Sequence, residues 1–308
     1  MVVNQESLRG LNVSFSTAFN KEFENTETHY QRFATTVPST TAETNYTWLG
    51  QIPQMREWIG EREIQNLSAY EYTIKNRKFE MTVSVPRDAI EDDQYGTYTS
   101  YFSSLGQAAA QHPDELCFAA LKDGFKEKCY DGKPFFAADH PSGEGGKTAV
   151  SNMTHNKLTA GSYMAARTAM MSLCGDKGKS LGLVPDLLVV SPADEENGLM
   201  ILNADYINGT TNVLKGTAEL LVAPELADKP GMWFLLCTKR FLKPVIFQKR
   251  RAIKLAAKNR DTDENVFLRD EYIWGADGRS NAGYGFWQMA YGSDYQAVPE
   301  TGEEEAKG

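Results

Sequence analysis

Apolar residues recur at helical spacing near the start of the chain, where Leu8, Leu11, Phe15, Phe19 and Phe23 lie three or four apart across residues 5–24. That spacing predicts a short amphipathic helix with one stripe to bury. Residues 25–47 lose the period and become rich in Thr and Ser, as in Thr35-Thr36-Val37-Pro38-Ser39-Thr40-Thr41, which reads as an extended linker. An arm tethered in this way either reaches a neighbouring subunit or folds back on its own domain, and the local pattern does not choose.

A period of two follows. Tyr70, Tyr72 and Ile74 occupy one parity and Phe79, Met81, Val83 and Val85 the other, so the phase breaks at Lys75-Asn76-Arg77-Lys78. A phase break at a polar turn predicts a hairpin whose outer faces carry Glu71, Thr73, Glu80, Thr82 and Ser84. A lone hairpin is marginal in water and must lie against something, either its own domain or another copy. Around it stand Trp48, Arg56, Trp58, Arg62, Arg87 and Asp88. Trp and Arg are enriched in interface anchors, so these residues are candidates for intersubunit contact, together with Phe15, Phe19, Tyr70, Tyr72, Lys75, Arg77 and Phe79.

Tyr95–Lys128 is the longest helical stretch, with Phe102, Leu105, Ala109, Leu116 and Leu121 on its apolar face. Pro113 predicts a kink or a short break near His112, with Asp114 and Glu115 in the first turn of a second segment. Thr159 is placed to cap a helix that carries Tyr163, Met164, Ala166, Ala169, Met170 and Leu173. Leu187-Leu188-Val189-Val190 reads as a buried strand, and Ser191-Pro192 followed by three acids as a helix start. Strand patterns return at residues 218–222, 232–237 and 244–248, which together predict a compact α/β subdomain inserted into another one. Two strand-rich runs, 266–274 and 283–290, joined by a loop over 275–281, would then pair beside the long helix.

At 308 residues, 41% hydrophobic and 24% charged, the chain has room for one large domain or two modest ones with real cores. No segment approaches the roughly 20 apolar residues of a membrane helix, and the N-terminus has no secretory pattern. The sequons at Asn12, Asn45, Asn66, Asn152 and Asn208 therefore read as chance matches. A net charge of -9 argues against a protein that grips nucleic acid through its phosphates. The one basic run, Lys249-Arg250-Arg251 with Lys254, is a small footprint that reads as a solvated face or an intersubunit charge pair. Residues 301–308 read as an acidic tail.

Candidate chemistry is sparse. Cys117, Cys129, Cys174 and Cys237 are widely separated and show no paired spacing with His29, His112, His140 or His155, so neither a disulfide framework nor a zinc site is predicted. Asp139-His140 invites a triad or metal reading, but no G-x-S-x-G or H-E-x-x-H stands beside it. Gly146-Lys147-Thr148 and Gly178-Lys179-Ser180 resemble the end of a phosphate-binding loop, yet Pro141 and Leu173 occupy the positions where its first glycine is needed. No catalytic residue, cofactor or metal is expected.

The order of elements, with Trp48-Leu49-Gly50, Tyr72-Thr73-Ile74-Lys75-Asn76, Arg87-Asp88, His112-Pro113, Asp139-His140-Pro141 and Phe267-Leu268-Arg269, resembles the major head subunit of Mu-like phages and prophages across essentially the whole chain. The resemblance implies an α+β capsid fold of the phage Hong Kong 97 type. It implies an N-terminal arm at 1–45 and an extended hairpin loop at 46–86. A peripheral domain would comprise 87–159 and 251–300, with its spine helix at about 93–128, and an axial domain 160–250. It implies pentamers and hexamers of this chain in an icosahedral shell around double-stranded DNA, without sequence-specific binding. Assembly would occur in the bacterial host cytoplasm, with a separate scaffolding protein or protease, a portal and decoration proteins as partners. The chain opens directly on the arm, without a charged helical leader, which is why the scaffold is expected to be separate. Two other readings stay open: an encapsulin-like shell around cargo protein, and a soluble hydrolase using Cys129, Asp139 or His140.

Overall fold

The computed structural model describes residues 5–50, 52, 55, 71–92, 95–143, 146–175, 178–260 and 262–296. Helix α1 spans Gln5–Asn25, and α2 (Tyr30–Phe33) leads into β1 (Ala34–Pro38) and β2 (Glu43–Asn45). Strands β3 (Thr73–Lys75) and β4 (Arg77–Pro86) and helix α3 (Arg87–Glu91) precede the long helix α4 (Tyr95–Asp123). Three short strands follow, β5 (His140–Ser142), β6 (Thr148–Val150) and β7 (Met153–Thr154), and then α5 (Ala160–Met171) and β8 (Leu187–Val190). After α6 (Glu195–Leu202) come β9 (Tyr206–Ile207), β10 (Thr210–Thr211), β11 (Glu219–Val222) and β12 (Trp233–Leu236). The chain continues through β13 (Val245–Lys258), α7 (Glu264–Arg269), β14 (Glu271–Tyr284) and β15 (Ala290–Ser293).

These elements form two compact units. The first comprises residues 1–45, 73–117 and 245–283, and the second 46–72, 118–244 and 284–308.

In the first unit the four-stranded sheet runs β1-β13-β14-β4. The apolar stripe of α1, Leu8, Leu11, Phe15 and Phe19, is buried with Phe102, Leu105 and Ala109 of α4, Val85 of β4 and Tyr272, Trp274 and Ala276 of β14. Phe15 stands edge-on to Trp274 at 5.2 Å, and the Trp274 indole donates to Asn12 Oδ1 at 3.2 Å. The helix period read from the sequence is therefore the period of burial, and the arm folds back on its own chain. Gly106 is required where α1 meets α4, because a Cβ there would run into the carbonyl of Phe19.

The predicted hairpin does not form. A strand break does fall at Asn76, but β3 pairs antiparallel with β2 (Thr44↔Ile74), while β4 pairs antiparallel with β14 from Pro86↔Glu271 to Arg77↔Ser280. The reason lies in what each arm gains. Strand β14 offers β4 a partner along all ten of its residues, and Met81, Val83 and Val85 then face the same core as Tyr272 and Trp274. Gln248 of β13 fixes the break itself by donating to Ile74 O at 3.1 Å and to Asn76 Oδ1 at 2.9 Å. The residues predicted as a Thr/Ser linker likewise contain a strand. Phe33 and Ala34 are buried, and β1 runs parallel to β13 from Ala34↔Val245 to Pro38↔Lys249.

Three further expectations differ from the structure. Helix α4 passes through Pro113 without a break. Residues buried on both sides of the proline, Ala109, Ala110, Cys117 and Phe118, hold the helix together against a local cost of about 3 kcal/mol. Asp114 does not serve the start of a second segment. Its buried carboxylate accepts from the backbone N–H of His29 at 3.0 Å and of Tyr30 at 2.6 Å, at the start of α2. The predicted loop at 275–281 is the middle of β14. Gly278 suits that strand because the space of a Cβ is taken by Ile253 Cγ1, 2.6 Å from where it would sit.

In the second unit the five-stranded sheet runs β11-β8-β12-β15-β7. Strands β8 and β12 are buried at every position, as their unbroken apolar runs require. Strand β8 pairs parallel with β11 and antiparallel with β12, and β12 pairs antiparallel with β15. Neither predicted closing run is a single strand: residues 266–269 lie in α7, and of 283–290 the first two residues end β14 while Ala290 opens β15, which joins this sheet rather than pairing with 266–274. Thr159 caps α5 in a reciprocal capping box with Ser162, as its position predicts. Asn152, one of the sequon residues, is buried and bonds to Ala137 N and to the carbonyls of Phe135, Trp287 and Ala290. Among the described residues no helix is long and apolar enough to cross a membrane.

Candidate assembly surface and a buried polar cluster

The residues expected at intersubunit contacts fall into three groups. Phe15 and Phe19 are consumed by the core of the first unit, at 0% and 1% exposure, and offer nothing to another copy in this conformation. Helical spacing had marked them as a stripe to bury, and the stripe found α4 and β14 instead of a neighbour. Tyr72 is also turned inward. Its ring lies 6.4 Å from that of Tyr284, its hydroxyl accepts from Tyr284 N at 2.9 Å, and burial pushes the phenol well above its ordinary value.

A second group is presented to solvent. Trp48 is 41% exposed and rests edge-on against Tyr46 and Phe286 at 6.2 and 6.4 Å. Lys75 and Arg77 are exposed on either side of Asn76, whose amide donates to Ser39 Oγ and Thr41 O and keeps the turn rigid. The Arg77 guanidinium lies 5.4 Å above the Phe79 ring, which packs 4.2 Å from His112. Arg87, at the head of α3, is half-buried and meets Glu91 at 3.0 Å and Asp270 at 3.8 Å, and Asp88 is exposed beside it. Arg56, Trp58, Arg62 and Tyr70 lie outside the described residues.

Sequence pattern missed a set of exposed apolar side chains. Leu199 and Met200 of α6, Tyr206 of β9 and Val213 are all more than 40% exposed in the second unit. Asn212 holds that segment together by donating to the carbonyls of Ile201 and Ala204. The signal available was that these residues fall off the buried period of α6, whose inward positions are Gly198, Ile201 and Leu202. In the first unit Phe267 and Leu268 of α7 are 85% and 64% exposed.

His140 does not partner Asp139, which instead forms a surface ion pair with Lys133. The imidazole is fully buried, with Nδ1 2.7 Å from Asp131 Oδ2, Nε2 3.3 Å from Phe135 O, and its ring stacked 4.1 Å from Trp287. Cys129 donates its thiol to Asp131 Oδ1 at 3.1 Å. Burial, reinforced by the Asp131 charge, pushes that thiol far above its ordinary value. Burial also opposes ionisation of Asp131, but hydrogen bonds from His140 and Cys129 outweigh it and hold the carboxyl below the usual range. A protonated, enclosed thiol is no nucleophile, so the cluster lacks what a hydrolase needs.

The decisive observation is a match of the chain, over residues 8–157, 153–226 and 227–305, to the family described as Mu-like prophage major head subunit gpT. The chain belongs to that family. It is 33% identical over 290 residues to the major capsid protein of Escherichia phage Mu, covering 94% of this chain and 74% of the relative. It is also 33% identical over 293 residues to the Mu-like prophage FluMu major head subunit of Haemophilus influenzae, covering 94% and 73%. The procapsid of bacteriophage JBD30 contains a chain 33% identical to it, aligned at a TM-score of 0.61 over 96% of this chain and 78% of that one. The fold is that of the phage capsid proteins, of the Hong Kong 97 type, and the head subunit is a structural component of the virion rather than an enzyme.

Proposed function

We propose that copies of this head subunit associate as pentamers and hexamers into an icosahedral shell that encloses double-stranded DNA. Kinship over nearly the whole chain with the JBD30 procapsid subunit and the Mu major capsid protein carries this reading. Each contact in such a shell can be weak, because closure repeats it many times and makes later contacts effectively intramolecular. The net charge of -9 suits a container that must let duplex DNA slide in without being trapped, and Lys249 and Arg250 are too few to reverse it. A scaffolding protein or protease, a portal and decoration proteins are the partners this function calls for, and the host cytoplasm is where assembly would occur.

Residues 46–72 serve best as the segment that reaches a neighbour, with Arg56, Trp58 and Arg62 as its anchors, and residues 160–250 as the part nearest the capsomer axis. The pairing of β4 with β14 supports a reaching segment shorter than the 46–86 that the resemblance implies, ending before residue 77. Exposed Trp48 and the apolar side chains at Leu199, Met200, Tyr206 and Val213 have the character of contact surface. The test is a chain carrying Arg56→Ala, Trp58→Ala and Arg62→Ala. It should melt as the unaltered subunit does while the yield of closed particles falls at least tenfold. Particles at normal yield would contradict the assignment of these anchors.

A further inference from the structure

The Cys129–Lys133 turn and strand β5 bring three different ligand types to one buried point. One donor atom from each of Cys129, Asp131 and His140 lies within 4.8 Å of the others. The side chains of His140 and Asp131 are 0% and 2% exposed, and Cys129 is 4% exposed. The turn is tied internally, because Cys129 N donates to Lys133 O and Lys133 N to Asp131 Oδ1, and Gly132 takes the left-handed conformation at φ 81°. The ligand positions are therefore preset by backbone rather than by side-chain chance.

The orientation of His140 suits a cation as well as a proton. Its Nε2 faces Phe135 O, the backbone hydrogen bond that a histidine bound to metal through its other nitrogen ordinarily makes. When Nε2 carries the proton, the Nδ1 lone pair faces the Asp131 carboxylate at 2.7 Å, and two lone pairs cannot be opposed at that distance; the other tautomer donates Nδ1–H to the carboxylate. A proton or a metal ion has to lie between them. Thiolate, imidazole and carboxylate together suit zinc, whereas magnesium and calcium prefer oxygen alone.

We infer that Cys129, Asp131 and His140 bind a zinc ion that staples the 129–133 turn to β5. Charge balances on both sides of the exchange. Without metal the pocket holds a thiol and an imidazole, each within hydrogen-bond distance of one carboxylate. As the ion enters, the thiol releases its proton and the imidazole binds through Nδ1 with its proton on Nε2, leaving a divalent cation against a thiolate and a carboxylate. Three protein ligands leave one coordination position for water or the second carboxylate oxygen.

The experiment uses the full chain with Cys174→Ser, which removes the one exposed thiol. Titration with cobalt(II) should produce a sulfur-to-metal charge-transfer band that saturates at one ion per chain, is bleached by zinc, and is lost in the Cys129→Ala version. X-ray absorption of the zinc-loaded Cys174→Ser chain should show one sulfur with nitrogen and oxygen ligands, and that measurement needs no altered pocket residue. Absence of the band, its survival in a folded Cys129→Ala chain, or a zinc shell of nitrogen and oxygen alone would overturn the inference.

Discussion

Phe15 of α1 stacks on Phe102 of α4 with ring centroids 4.2 Å apart and planes inclined by 17°. Both rings are fully buried, so the N-terminal helix is a structural member of its own subunit. Phe15→Ala should cost about 3–5 kcal/mol of unfolding free energy in the unassembled subunit, as removal of a buried aromatic ring generally does. Denaturant titration of the soluble chain reads this directly. A loss below about 1 kcal/mol would mean that α1 is free in solution and docks only on a neighbour.

Local patterns were legible wherever burial is decided by short-range sequence. The α1 stripe, the α5 cap at Thr159 and the buried runs of β8 and β12 all follow from residues within one element. Partner choice was not legible, because it depends on chain far away. Ile74 and Val85 alternate as a hairpin would, yet one arm pairs with β2 and the other with β14, some 200 residues on. Gly275 and Gly278 look like loop residues until β13 is seen to approach too closely for a side chain at Gly278. The Cys129–Asp131–His140 cluster escaped notice for a related reason, since a reading that sought paired spacings fixed on Asp139, the neighbour that points away.

Burial assigns the thiols different fates. Cys117, Cys129 and Cys237 are enclosed and their thiols are pushed above the ordinary value, chiefly by desolvation, while Cys174 is exposed. A thiol reagent at neutral pH should therefore label the unassembled native chain once, at Cys174, and reach the other three only on unfolding. Peptide mapping identifies the site. Native-state labelling of Cys129 at a rate near that of Cys174 would contradict the packing described for the turn.

Three tyrosines of the second unit set an alkaline limit. Desolvation pushes the Tyr46 phenol from 10.0 to about 12, and those of Tyr72 and Tyr284 further still. A raised folded value means that the fold favours the neutral phenol. Its contribution is complete below the unfolded value near 10 and is lost as pH rises through the folded one. The denaturation midpoint should fall as pH rises above about 10, with tyrosinate absorbance appearing together with unfolding. Full tyrosine ionisation near pH 10 in a chain that stays folded would show that these rings are open to water.

The central claim is that this chain is the building block of a phage head, and electron microscopy of the chain expressed alone and with the proposed scaffolding protein tests it most directly. Closed shells built from pentamers and hexamers of this subunit are the expected result. Monodisperse small particles under every condition of expression, with and without the scaffold, would contradict it.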